Sequence, residues 1–350
     1  MFDCISLFSW YNNLDKNLLL WGIIMKFTRY IILTVITIFF LCGCTVPVTQ
    51  EKLTYTDTLF DTVISIQILD STNKELLKGC EEICKKYDTM FSRTNKDSDI
   101  SKINSAKGKT VEVSDDTISI IKEGIYFSEL SNGAFDITIG TVSSLWDFRS
   151  EEKSVPSPDT IKSAVSHINY QNIIVNGNTV QLTDPNTKID VGALAKGYIA
   201  DKVKEYLLEN DVKHAIIDLG GNVLVIGSKP DGSDYNIGIQ KPFDQTGVPV
   251  TSVKLSDRSI VTTGIYQRFF ESDGDFYHHI LDPETGYPCK NNLYSATIVT
   301  DSSLKADALS TTCFLLGLEE GMDLINHLEY ADAVFITDDN ELHYSKDYQK

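Results

Sequence analysis

Five short segments of the 350-residue chain concentrate side chains that can do chemistry. The first is Ser131-Asn132-Gly133-Ala134-Phe135-Asp136-Ile137-Thr138-Ile139-Gly140, with Trp146 downstream. Asp136 and Thr138 fall on one side of an extended stretch, suited either to a polar ligand or to capping a turn. The second is Asp190-Val191-Gly192-Ala193-Leu194-Ala195-Lys196-Gly197-Tyr198-Ile199-Ala200-Asp201. A strand ending at Asp190 and a helix opening near Lys196 would offer backbone N–H groups and one ammonium to an anion. The spacing is not that of a Walker A loop. The third, Asp218-Leu219-Gly220-Gly221-Asn222, reads as a tight turn between strands.

The fourth segment is the densest: Thr262-Thr263-Gly264, Arg268, then His278-His279-Ile280-Leu281-Asp282-Pro283-Glu284-Thr285-Gly286-Tyr287-Pro288. A histidine three residues before an Asp-Pro turn suits a base or a phosphate ligand. Adjacent histidines on a strand face opposite ways, so one at most serves a given site. Zinc would need further His or Cys at ligand spacing, which the segment lacks. The fifth is Asp307-Ala308-Leu309-Ser310-Thr311-Thr312. On a helix Asp307 and Thr311 share a face. A carboxylate and a hydroxyl are hard oxygen donors suited to Mg²⁺ that also touches phosphate, although a helix-start carboxylate beside a buried Thr has the same spacing.

These segments need elements to hold them. Residues 62–69 alternate as a strand, and 74–91 place Leu76, Leu77, Cys80, Ile83, Cys84, Tyr87 and Phe91 on one helical face. Cys80 and Cys84, one turn apart without a second Cys/His cluster, read as buried thiols. A second amphipathic helix spans 115–131, and the charged, Pro-bearing stretch 149–160 reads as a surface excursion. Strands at 172–175 and 179–182 flank Asn176-Gly177-Asn178, a hairpin signal. A helix at 195–210 follows, then strands at 214–219, 223–227, 235–239 and 250–255. Residues 301–328 are mostly helical, and strands at 333–337 and 341–344 close the chain. Helices interleaved with hairpins, without a βαβ repeat, predict an α+β fold with mixed or antiparallel sheets and packed helices.

Composition narrows the function. With 42% hydrophobic and 23% charged residues the chain is an ordinary globular mixture. Its formal charge of −18, from 31 Lys+Arg against 49 Asp+Glu, argues against broad nucleic-acid binding. Seven cysteines are too few for a disulfide scaffold. At the N-terminus Lys26 and Arg29 precede a short apolar run, 30–40, and then Leu41-Cys42-Gly43-Cys44. That resembles a bacterial lipoprotein signal with Cys44 the acylated residue, the competing reading being an uncleaved signal anchor because 18–24 are also apolar. Residues 1–43 then form the signal peptide, 1–24 being an extension ahead of a second start at Met25. Residues 44–54 are the lipidated cysteine, palmitate among its chains, and a polar tether reaching about Tyr55. The product is exported and lipid-anchored to the outer face of the cell membrane.

Taken in order, GAFDITIG with Trp146, DVGALAKGYIAD, HHILDPETGYP and DALST resemble the FAD:protein FMN transferase family, also called the ApbE family of thiamine-biosynthesis lipoproteins. The resemblance runs from about Tyr55 to Tyr344, within a domain taken as 55–350. It implies a T-fold-related, two-lobed α+β architecture. It also implies a Mg²⁺-dependent enzyme that moves the FMN half of FAD onto a Thr or Ser hydroxyl of an acceptor flavoprotein through a phosphoester bond, releasing AMP. Acceptors would be subunits of Rnf- or Nqr-type redox pumps or other extracytoplasmic flavoproteins. By the same resemblance Asp307, Thr311 and the Ala193 carbonyl hold the metal. Phe60, Thr94, Ala134, Phe135, Asp136, Asp190, Lys196, His279 and Ile280 contact FAD, and His279 with Asp307 is catalytic, the histidine as base. Three positions depart from the family pattern: Phe60-Asp61-Thr62 replaces Met-Gly-Thr, Thr94 replaces an aromatic residue, and Ile265 replaces an acidic one. The competing expectations are a FAD pyrophosphatase, with water in place of the acceptor hydroxyl, and a flavin-binding lipoprotein without chemistry.

Overall fold

Leu and Tyr alternate with Thr and Asp over Leu53–Leu59, and this alternation builds β1. The strand pairs antiparallel with β2, Thr62–Ile68, from Leu53↔Ile68 to Leu59↔Thr62. The tether read through Tyr55 is therefore corrected: from Leu53 onward the chain is sheet. The computed structural model describes Trp21 and 25–29 of a short helical stretch, then 52–148, 153–244, 246–346 and Tyr348. The rest of the expected signal peptide, Cys44 and the expected tether up to Glu51 lie outside the described residues.

Downstream come α1 (Glu75–Phe91), α2 (Asp99–Ser105), β3 (Val111–Glu112), α3 (Asp115–Leu130), α4 (Gly140–Ser143) and α5 (Pro158–Val165). The start of α5 falls within the charged stretch read as a surface excursion. Ser157 caps it by accepting from the Thr160 N–H, and Pro158 occupies the first turn, where its missing N–H costs nothing. β4 (Ile173–Asn176) and β5 (Thr179–Leu182) form the hairpin expected at Asn176-Gly177-Asn178. The helix expected from Ala195 starts at Gly192 instead: α6 is Gly192–Glu209. Then follow β6 (Ala215–Leu219), β7 (Asn222–Ile226), β8 (Tyr235–Gln240), β9 (Pro249–Leu255), β10 (Ser259–Gly264), β11 (Phe269–Ser272), β12 (Asp275–His278) and β13 (Leu293–Thr300). α7 (Ser303–His327), broken at Gly317 with φ 80°, precedes the hairpin of β14 (Ala331–Thr337) and β15 (Leu342–Tyr344).

Eight strands make the central sheet, in the order β1-β2-β6-β7-β10-β13-β14-β15. Every strand pair among the described residues is antiparallel, with one isolated parallel bridge, Ile139–Lys188. Alternation gives the sheet two apolar faces. Ile64, Ile66, Ile217, Leu224, Ala296, Ile298 and Phe335 share one core with α1, α3, α6 and α7. Val225, Ile260, Val299, Val334 and Ile336 pack instead with Tyr235, Ile239, Val253 and Leu255 of the β8–β9 hairpin. In α1 the face drawn from the sequence is the buried one. Its Cys80 and Cys84 thiols are pushed by burial to about 12, which keeps them protonated and inert. A third, aromatic cluster of Trp146, Phe148, Phe270 and Tyr277 seats the β11–β12 hairpin beside α5.

Candidate active site

Two helices hold one end of the site by exchanging carboxylates. Asp201 of α6 caps α7, accepting from Ser303 N at 2.8 Å, Leu304 N at 3.0 Å and Ser302 Oγ at 2.8 Å. Asp307 of α7 accepts in return from the Gly197 N–H at 3.0 Å. Glycine at 197 permits the approach, because a Cβ there would stand 2.3 Å from the Ser303 carbonyl oxygen. That neighbour is backbone and cannot turn aside. Gly197→Ala is expected to destabilise the protein by about 3 kcal/mol, the upper end of ordinary overpacking. An unchanged thermal midpoint would show that the helices do not need this contact.

Around Asp307 the sequence-expected residues converge. Its carboxylate is 3% exposed, with Lys196 Nζ 3.3 and 3.4 Å from the two oxygens. The early start of α6 puts Lys196 in the second turn, so it pairs with Asp307 where a helix-terminal cradle for an anion was expected. Thr311, one turn beyond Asp307, meets Thr263 Oγ1 of β10 at 3.1 Å. In a regular helix the Gly197 N–H that Asp307 accepts from also faces the Ala193 carbonyl, which sets that oxygen beside the carboxylate. Asn222 Nδ2 is buried with no hydrogen-bond partner among the described residues, yet close enough to Asp307 to favour its charged form. Burial is the larger influence and raises the Asp307 pKa, with Lys196 next in opposition.

A carboxylate, a hydroxyl and a carbonyl make a hard, all-oxygen donor set. Among the described residues no group of three His, Cys, Asp or Glu gathers to hold a metal. One carboxylate with neutral oxygens suits Mg²⁺, which retains water and shares phosphate oxygens with its substrate. The residues present therefore fit the metal.

His279 stands at the other side. Its Nδ1 lies 3.2 Å from the Arg268 carbonyl, and its backbone N–H donates to the same oxygen at 3.1 Å. An Nδ1–H bonded there leaves the Nε2 lone pair as the basic atom. Burial, then Arg268, His278 and more weakly Lys196, lower its pKa to about 3, so the ring is neutral at physiological pH. His278 faces elsewhere, with Nε2 3.0 Å from the Cys289 carbonyl. The Arg268 guanidinium also donates to the Asp61 carbonyl at 3.3 Å, joining the residue ahead of β11 to the Phe60-Asp61 turn. Both turn residues have positive φ, 54° and 59°, as a two-residue hairpin turn of type I′ requires.

Asp190 is engaged beside the start of α6. It accepts from Gly192 N at 2.9 Å and Ser143 Oγ at 2.8 Å and pairs with Arg93 Nε at 3.2 Å. Thr94 follows Arg93 in an exposed turn on Ser92. Arg93 and Ser143 escaped the sequence reading, since neither lies in a chemical motif and their meeting with Asp190 is purely tertiary. Of the two roles open to the Asp136 carboxylate, a polar ligand or a turn cap, the structure shows the cap. The segment is a turn, not extended, and Oδ1 accepts from Thr138 N and Oγ1, both at 2.7 Å, while Oδ2 accepts from Tyr170 N at 2.9 Å. Asp136 thus positions the turn that presents Ala134. Phe135 and Ile280 have buried side chains. A groove of about 1490 Å³ lies alongside, lined by Ala134, Ile265, Phe276, His278, Leu315 and Leu316 among others.

Known proteins carry the same pattern. The profile of the ApbE family matches residues 60–335. The FAD:protein FMN transferase of Klebsiella pneumoniae strain 342 is 35% identical over 277 residues, covering 78% of this chain and 86% of that protein. That of Treponema pallidum strain Nichols is 33% identical over 279 residues, 75% of this chain and 77% of the relative. In three dimensions the chain resembles the crystal structure of the ApbE protein from Thermotoga maritima, with a TM-score of 0.78 at 30% identity over 85% of this chain and 97% of that one. It likewise resembles the flavin transferase ApbE from Vibrio cholerae, with a TM-score of 0.75 at 27% identity over the same shares.

Proposed function

The chain belongs to the ApbE family, and on that premise we propose how its residues carry out flavin transfer from FAD to an acceptor protein. It is a transferase, with FAD as flavin donor and a flavoprotein as acceptor. The finer reading is that the FMN phosphorus moves to a Thr or Ser hydroxyl. The acceptor oxygen forms a bond to that phosphorus, the bond from phosphorus to the bridging oxygen breaks, and AMP leaves with the bridging oxygen. His279 Nε2 accepts the hydroxyl proton as the new bond forms. The Arg268 carbonyl keeps the ring in the tautomer that can do so. Asp307, Thr311 and the Ala193 carbonyl would hold Mg²⁺, which when bound neutralises charge on the diphosphate and its leaving group.

The observation that carries this reading is a neutral, oriented histidine with a hard-oxygen cluster and an ammonium close enough to bear on it. The test incubates the protein with FAD, Mg²⁺ and a Thr-bearing acceptor and views a denaturing gel for flavin fluorescence. A metal-dependent fluorescent acceptor band is expected. Free FMN and AMP without a band would mean hydrolysis, and unchanged FAD would mean a binding protein.

The same proposal includes export, a lipid anchor at Cys44 on the outer face of the cell membrane, and a redox-pump subunit of Rnf or Nqr type or another extracytoplasmic flavoprotein as acceptor. Leu41-Cys42-Gly43-Cys44 after an apolar run supports the anchor. Cys44→Ser should move the protein from the membrane fraction of producing cells into the soluble one. Retention in membranes would remove the anchor from the proposal.

A further inference from the structure

We propose that Lys196 is the built-in counter-ion of Asp307, which an entering divalent cation must displace, and that the released ammonium then serves the substrate diphosphate. The inference rests on the metal assignment above and adds an order of events to it. Asp307 is almost wholly buried, and an unpaired carboxylate there would be costly. Lys196 Nζ straddles it, at 3.3 and 3.4 Å from the two oxygens, while the Gly197 N–H holds Oδ2 at 3.0 Å. The carboxylate is thus already satisfied by one mobile cation and one fixed dipole.

Mg²⁺ binds carboxylate oxygen at about 2.0–2.1 Å. An ammonium still at its present distance from the same oxygens would sit against the metal as a like charge. One of the two must go. Gly197 N is fixed in the helix, whereas Lys196 has a flexible four-carbon stem and a side chain 27% exposed, so it has a way out. Its electrostatic influence already reaches His279, on the side where transfer would occur. Displacement therefore keeps the ammonium in the site and gives it to the anion. Metal and diphosphate then favour each other through this one side chain, reciprocally, as linkage demands.

The test uses the full chain and Mg²⁺ alone. Lys196 acetylation by a limiting N-hydroxysuccinimide ester of acetic acid, followed by peptide mass spectrometry, should speed up about fivefold or more on saturation with Mg²⁺, the lower end of ordinary linkage effects. Lys204, paired with Asp257, is the internal control and should not change. In parallel, Lys196→Gln should bind Mg²⁺ about fivefold tighter by calorimetry, having no ammonium to displace. Lys196 labelling that ignores bound Mg²⁺ overturns the inference, as does equal or weaker binding by the folded variant. The labelling arm decides alone if that variant does not fold. Absence of Mg²⁺ binding to the unaltered protein would instead overturn the metal assignment and, with it, this inference.

Discussion

Asp307→Asn is expected to lose Mg²⁺-dependent flavin transfer by at least about 10²–10³-fold, the scale of removing one electrostatic stabiliser of a transition state. The metal-free protein should meanwhile be as stable as before, or more so. Both follow from one fact: burial disfavours the charged form of Asp307 that a cation would need. Burial raises its pKa despite Lys196, Gly197 and Asn222, so the neutral isostere is the easier group to keep inside. Asparagine retains an acceptor for the Gly197 N–H, and Lys196 is exposed enough to reach water. A carboxylate that only held the helices together would lose stability on replacement and leave chemistry largely intact. Thermal melting and the fluorescent-acceptor assay, run on the same preparation, distinguish the two. Full transfer by Asp307→Asn would remove this residue from the metal site.

His279→Gln should slow transfer about 10²–10⁴-fold, the usual contribution of a positioned general base, with FAD affinity nearly unchanged. Loss of FAD binding in that variant would make the histidine a ligand instead. The pH behaviour is distinctive. His279 titrates near 3 in the folded protein against about 6.5 when unfolded, so in the free enzyme no loss of kcat/KM between pH 7.5 and 5.5 should come from this ring. Bound diphosphate would partly cancel Arg268 and Lys196, two of the charges that depress the ring, and so make it a stronger base once substrate is present.

Stability carries the opposite signature. Below pH 6.5 the unfolded chain takes up protons that folded His279 refuses until about pH 3, and His278 until about pH 4. The histidine contribution is therefore complete above pH 6.5 and declines as pH falls through that window. The urea midpoint should drop from pH 7.5 to pH 5, and His279→Gln should flatten the drop. An equally steep drop in the variant would clear His279 of it.

Much of this was legible because it is local. The apolar stripe 76–91 needed one buried face, so α1 lies where its period put it. The Asn-Gly hairpin at 176–177 and the α7 spacing of Asp307 to Thr311 are likewise properties of a few neighbouring residues. Less visible were β10 and β13, in the middle of the central sheet. Their runs are rich in Thr and Ser, and the polar residues of β10 meet other chain segments: Ser259 bonds Ser303, and Thr263 bonds Ser310 and Thr311. A pattern reading cannot see such partners.

By itself the amino-acid order determined the family motifs, the α+β alternation and which residue types carry the chemistry, since each depends on spacing within one element. Tertiary structure alone decided how those residues are used. It turned Asp136 inward to three protein donors, and set Arg93 and Ser143 on Asp190. It also placed Lys196 on Asp307 across 111 positions of chain. The reason is that a side chain's bond or charge depends on what the fold brings within a few ångströms. Distance along the chain does not specify that until α6 has closed on α7 through Gly197.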